Sequence, residues 1–138
     1  MIMNEEIKTI DIIDGDIHKK ASIQLKENDL LCILEISYDN GVNSITSENS
    51  DYFSCFMDIR KRNPHIKFLC KGAKINVYPS SIARQMSQGK VAYECTMGKS
   101  ATRDNIVHIF DFDDENISNS PIEQIEYHKK WFDSLKKI

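Results

Sequence analysis

The side chains that could do chemistry fall into three groups. Asp111, Asp113, Asp114 and Glu115 form the densest acidic cluster. On a strand, Asp111 and Asp113 would point the same way, as two oxygen ligands of a divalent cation must. The glycine and glutamate of a calcium loop do not follow at their positions, so a solvated strand end is the simpler reading and no metal is assigned. The second group is His18, His65, His108 and His128 with Cys32, Cys55, Cys70 and Cys95. None lies in an H-E-x-x-H or Cys-x-x-Cys arrangement, so zinc ligation is not expected. A hydrolase pairing such as Cys70 with His65 needs only proximity in space, but no spacing singles it out. The third group is Tyr78-Pro79-Ser80-Ser81, ahead of Arg84. A helix start there, with two hydroxyls and Lys71, Lys74 or Arg84 beside it, is a candidate anion site. The plainer alternative is helix capping by Ser80 or Ser81 with Arg84 on the exposed side. No catalytic residue and no cofactor is assigned.

Charge adds a pattern. The 138 residues carry a net charge of −3, with 41% apolar and 28% charged residues, which suits one globular domain over residues 1–138. Residues 1–59 have a net charge of −8, residues 60–103 of +9, and residues 104–138 of −4. The basic block could serve a phosphate-bearing ligand or RNA. Alternatively, the blocks neutralise one another across a folded surface. The acidic total makes nucleic acid an unlikely partner, since phosphate binding needs a net basic face. The acidic start, Glu5-Glu6, is unlike a secretory signal, and the longest apolar run, Leu30–Leu34, is too short to span a bilayer. A cytoplasmic protein with four reduced, buried cysteines is expected.

The elements that must position these groups follow from periodicity. Strands are expected over 5–13 and 20–26 around the turn Asp14-Gly15-Asp16, and over 31–38, with 42–50 a polar loop. Ser50 should cap a helix with Asp51 in its first turn and Tyr52, Cys55, Phe56 and Ile59 on its apolar face. Arg60, Lys61 and Arg62 suit its C-terminal end, and Asn63-Pro64 stops it. Residues 66–70 and 74–78 read as a hairpin around Lys71-Gly72-Ala73. A short helix with Ile82, Ala83 and Met86 follows, stopped by Gly89. Strands come next over 90–97, with Val91, Tyr93, Cys95 and Met97 on one face, and over 106–112. The last helix has a Ser120–Glu123 capping box, Pro121 at its start, an apolar stripe of Ile122, Ile125, Phe132 and Leu135, and Lys129, Lys130, Lys136 and Lys137 toward its end. The order β-β-β-α-β-β-α-β-β-α predicts an α+β domain: a mainly antiparallel sheet of about five to seven strands packed with three helices.

From Tyr52 to Leu135 the motifs are distinctive enough to compare. They run Phe53-x-x-Phe56, Ile59-Arg60, Leu69-Cys70-Lys71-Gly72-Ala73, Asn76-Val77-Tyr78-Pro79-Ser80-Ser81, Arg84-Gln85-Met86, Ala92-Tyr93, Ile109-Phe110-Asp111, Glu123-Gln124 and Trp131-Phe132-x-Ser134-Leu135. This pattern resembles small bacterial immunity proteins of toxin–immunity systems, including contact-dependent inhibition. The resemblance implies a cytoplasmic protein, not an enzyme, that binds and neutralises a cognate toxin domain, and it carries over no functional residue. Where the toxin is a nuclease, its cationic site would favour an acidic inhibitor surface. The candidates for that surface are Asp14, Asp16, Asp39, Glu48 and Asp51, in the acidic block and in segments expected to be exposed.

Overall fold

The computed structural model describes residues 4–136. Lys137, expected in the last turn of the final helix, lies outside them. The chain begins with a long hairpin, β1 (Asn4–Asp14) and β2 (Ile17–Glu27), and continues through β3 (Cys32–Tyr38) and β4 (Asn43–Asn49). After α1 (Tyr52–Arg62), β5 (Ile66–Leu69) returns beside β1, giving an antiparallel sheet of order β4-β3-β2-β1-β5. A 3-10 turn at Lys71–Ala73 leads to a second sheet of β6 (Val77–Tyr78), β7 (Val91–Glu94) and β8 (Ile106–His108), in the order β6-β7-β8. Helix α2 (Ser81–Ser87) joins β6 to β7, and α3 (Pro121–Ser134) closes the chain. This is the expected α+β architecture, with strands divided between two sheets.

One face of the large sheet makes the core. Ile10, Ile12, Ala21, Ile23, Leu25, Cys32, Leu34 and Ile36 alternate inward along β1–β3 and join Tyr52, Phe53, Cys55, Phe56 and Ile59 of α1 in one buried cluster. Among the described residues no helix covers the other face. Across it the register sets Thr9 by Ser22 and Ser37, Ile7 by Gln24 and Glu35, and Glu5 by Lys26 and Ile33.

Several elements differ from expectation for identifiable reasons. Residues 43–49 form a strand, where a polar loop is expected. As an edge strand β4 buries only Ser47, whose hydroxyl donates to Asp58 at 2.8 Å, so its sequence shows no apolar alternation. The cap of α1 is Asp51, which accepts from the Ser54 amide at 2.8 Å, and Ser50 precedes it. The expected 66–78 hairpin does not form. Gly72 donates to the Ile109 carbonyl at 2.7 Å and Lys71 to that of Asp111 at 2.9 Å, which binds this turn to the later chain and sends β5 and β6 into different sheets. A Cβ at Gly72 would meet Ile109 Cβ at 2.9 Å, so only glycine fits. The strand expected over 90–97 is limited to β7 and buries Ala92, while Met97 is exposed; the strand expected over 106–112 ends at His108. In α3, Ile122 and Phe132 are 60% and 53% exposed, and the buried positions are Pro121, Gln124 and Trp131. The helix turns a face with Gln124 at its centre to the protein, which apolar counting cannot find.

Gln124 faces another buried polar residue, Arg60, which is 2% exposed. Arg60 donates to Gln124 Oε1 at 2.7 Å and to the Ser118 carbonyl at 2.9 Å. Gln124 Nε2 in turn reaches the carbonyls of Gly72, Lys74 and Val77 at 2.8–2.9 Å. Two side chains thereby tie α1, the 3-10 turn, β6 and α3 together.

Candidate functional site

Of the five acidic candidates, the fold brings three to one end of the large sheet. Asp14 and Asp16 flank the β1–β2 turn, in which Gly15 adopts φ +64°. Asp39 opens the β3–β4 turn, where Asp39, Asn40 and Gly41 are all left-handed, a conformation these residue types tolerate best. Because β2 and β3 are antiparallel neighbours, the two turns emerge side by side. Lys19 joins them: its ammonium lies 3.0 Å from Asp39 Oδ2 and 3.1 Å from Asp14 Oδ2, over the Tyr38 ring. The Asp39 and Asp14 carboxylates hold the Lys19 pKa above the usual lysine value. Asp16 is exposed, with no basic partner among the described residues. Ile17 and Val42, in these same turns, are 61% and 82% exposed. Carboxylates around projecting aliphatic side chains make a small, charged, partly apolar tip.

Glu48 and Asp51 sit at the other end of β4. Glu48 is exposed, but Asp51 is 4% exposed and cannot form surface contacts as expected. It caps α1 while both its oxygens take Arg84 Nη1, at 2.9 and 3.1 Å. Arg84 also donates to Ser54 Oγ at 2.8 Å and lies over the Phe53 and Tyr78 rings. Arg84 therefore faces inward and clamps α2 to α1, a correction to its expected exposed side.

The other anion candidates are scattered. Ser80 caps α2 by accepting from the Ala83 amide at 3.0 Å, as expected of one of the two serines, and Ser81 begins the helix. Lys71 and Lys74 both reach Asp113 Oδ2, at 3.0 and 2.8 Å, and Lys74 also pairs with Glu94. Burial alone would raise the Asp113 pKa, but Lys74, the Glu115 amide and Lys71 outweigh it and hold the carboxyl well below the usual range. The Lys71, Lys74, Ser80, Ser81 and Arg84 set thus forms no common cradle. Asp113, read as part of a solvated strand end, is an internal counter-ion.

Sequence reading missed an aromatic groove of about 370 Å³ between α2 and α3, lined by Tyr78, Ile82, Tyr93, Cys95, His128 and Trp131 among others. His128 stacks on Tyr78 at 4.3 Å and on Trp131 at 5.4 Å, and burial followed by the nearby Arg84 charge lowers its pKa. Arg84 lies over the Tyr78 ring as well, so the Tyr78 and His128 rings are each in contact with two neighbours of the same chain. The signal was the i, i+3 pair His128 and Trp131, hidden by the more apolar Ile122–Phe132 stripe.

All four cysteines are free and buried. Burial pushes the Cys55 and Cys70 thiols up to about 12 and those of Cys32 and Cys95 up to about 11, opposite to nucleophile activation. No helix among the described residues is long and apolar enough to cross a membrane. Among known proteins, no family model matches the chain and no curated protein is a match.

Proposed function

We propose that the protein is an immunity-type inhibitor acting in the cytoplasm, which binds a cationic toxin domain through the hairpin end of its large sheet. The observation that carries the reading is the convergence of Asp14, Asp16 and Asp39 around exposed Ile17 and Val42 on two adjacent turns. An aliphatic centre with a charged rim is how a compact protein interface divides its work. The apolar atoms supply burial, and the charges steer encounter and reject wrong partners. Tight turns on a five-stranded sheet hold these groups in place before contact, which limits the ordering cost of association. The motif resemblance over residues 52–135 names the inhibitor class, and the acidic tip names the charge of what it inhibits.

Co-purification with the product of a neighbouring gene is the first test. Capture of that product, and loss of its toxicity in cells expressing this chain, is the expected outcome. A neighbouring product that neither binds nor harms cells would remove the immunity reading. The basic-segment alternative has less support, because Lys71, Lys74 and Arg84 are engaged by two separate carboxylates and form no common cradle, whereas Asp16 has no basic partner among the described residues.

A further inference from the structure

β4 is the last strand of the large sheet, and among the described residues no strand continues the ladder beyond it. Arg62 reaches the Thr46 carbonyl, so Thr46, and by alternation Ser44 and Glu48, turn their backbone N–H and C=O groups away from β3. Edge strands of monomers are usually shielded by charged side chains, lysine above all, by proline, by a bulge or by a covering segment, and β4 has one charged residue, Glu48. The segment Asn-Ser-Ile-Thr-Ser-Glu-Asn contains neither lysine nor proline, and it pairs with β3 residue for residue without a bulge. Among the described residues it is covered by Arg62, whose Nη2 donates to the Thr46 carbonyl at 2.7 Å while paired with Asp58 at 2.9 Å.

We propose that this edge is a self-association surface, on which β4 of a second copy pairs antiparallel about a two-fold axis through Thr46. The occupant follows from the strand's self-complementarity. With the axis at Thr46, Thr46 faces Thr46 of the second copy and exchanges both backbone hydrogen bonds with it, while Ser44 faces Glu48 in the two flanking rows. No row opposes like charges, and a serine hydroxyl meets each glutamate, as Ser44 already donates to Glu35 at 3.1 Å within the chain. The result is a continuous ten-stranded sheet whose helix-free face is doubled. Arg62 competes for the Thr46 carbonyl and sets the concentration at which pairing occurs.

Sedimentation across a micromolar-to-millimolar series is expected to show the mass rising from 15.9 kDa toward twice that value. Thr46→Pro deletes an outward N–H that the monomer does not use, a place where an edge tolerates proline, and should abolish the rise with the melting temperature retained. Arg62→Ala should shift it to lower concentration. Should Thr46→Pro fail to fold, Thr46→Cys gives a second test. Opposed residues of a hydrogen-bonded pair lie about 5.5 Å apart at Cα, within disulfide reach, so mild oxidation should cross-link Thr46→Cys but not Glu48→Cys. A wild type that stays monomeric throughout the series overturns the proposal. So does a dimer indifferent to Thr46→Pro, or cross-linking that is equal at both positions.

Discussion

Arg60 and Gln124 show how much of this protein rests on single polar side chains. The buried Arg60 guanidinium pairs with no carboxylate among the described residues, and burial lowers its pKa to about 10. It stays charged at neutral pH, and it donates hydrogen bonds to Gln124 Oε1 and the Ser118 carbonyl. Gln124→Ala would strip Arg60 of its closest acceptor and take a donor from the Gly72, Lys74 and Val77 carbonyls, of which Gly72 keeps Arg60 and Lys74 keeps the Val77 amide. The expected cost is about 2–4 kcal/mol in urea unfolding, far more than an exposed helical glutamine would give. Arg60 was legible only as a helix-end cation, since a basic residue in a last turn usually points to solvent. Its burial is set by α3, which returns some sixty residues later in the sequence. The cysteines, by contrast, were legible, because each lies in an apolar stretch that the fold buries. With burial holding all four thiols above their ordinary values, they should resist a thiol reagent at pH 8 in the native protein and react together in urea. One fast native thiol would contradict the burial described.

Among the elements, those with caps and regular periodicity matched the sequence best. β1, β2, β3, α1 and the start of α3 were all signalled by local chemistry. β4 was not, because an edge strand with one buried side chain needs no apolar pattern. α2 was found but misoriented. Its Ile82 and Met86 are exposed, and Ala83 and Arg84 face the protein. The attraction of Arg84 for Asp51 and the Phe53 and Tyr78 rings outweighs aliphatic burial on a helix of seven residues. Arg84→Ala is therefore expected to destabilise by about 1–3 kcal/mol, through loss of the charged hydrogen bonds and of ring contacts. An unchanged melting temperature would show that α2 docks without the clamp. Ser80→Ala should cost about 1 kcal/mol, and Ser81→Ala little, because Ser80 alone accepts the capping amide.

At the scale of the whole molecule, the segregated charge of the sequence is largely an internal balance. Asp51 meets Arg84, Glu6 meets Lys90, and Asp113 meets Lys71 and Lys74, so acidic and basic blocks face one another after folding. Asp113 makes part of this balance visible to pH. Its folded pKa lies below the unfolded value, so its stabilisation is complete above about pH 4 and is lost as pH falls toward the folded value. Asp113→Asn should flatten that part of the acid-unfolding curve and lower stability at neutral pH. At the hairpin end Asp16 is left without a basic partner among the described residues and Asp39 is exposed although paired with Lys19, and both lie beside exposed Ile17 and Val42. The sequence marked Asp14, Asp16 and Asp39 as acidic turn residues, but only β2–β3 pairing puts them at one end, and that pairing is non-local. The most direct test of this assignment is the association rate of the chain with its cationic partner across a salt series, for wild type and for Asp16→Lys/Asp39→Lys. The prediction is an association rate at low salt at least tenfold slower in the double variant, with a flatter salt dependence and an unchanged circular dichroism spectrum. Coincident rates and salt slopes for the two proteins would contradict the hairpin end as the partner surface.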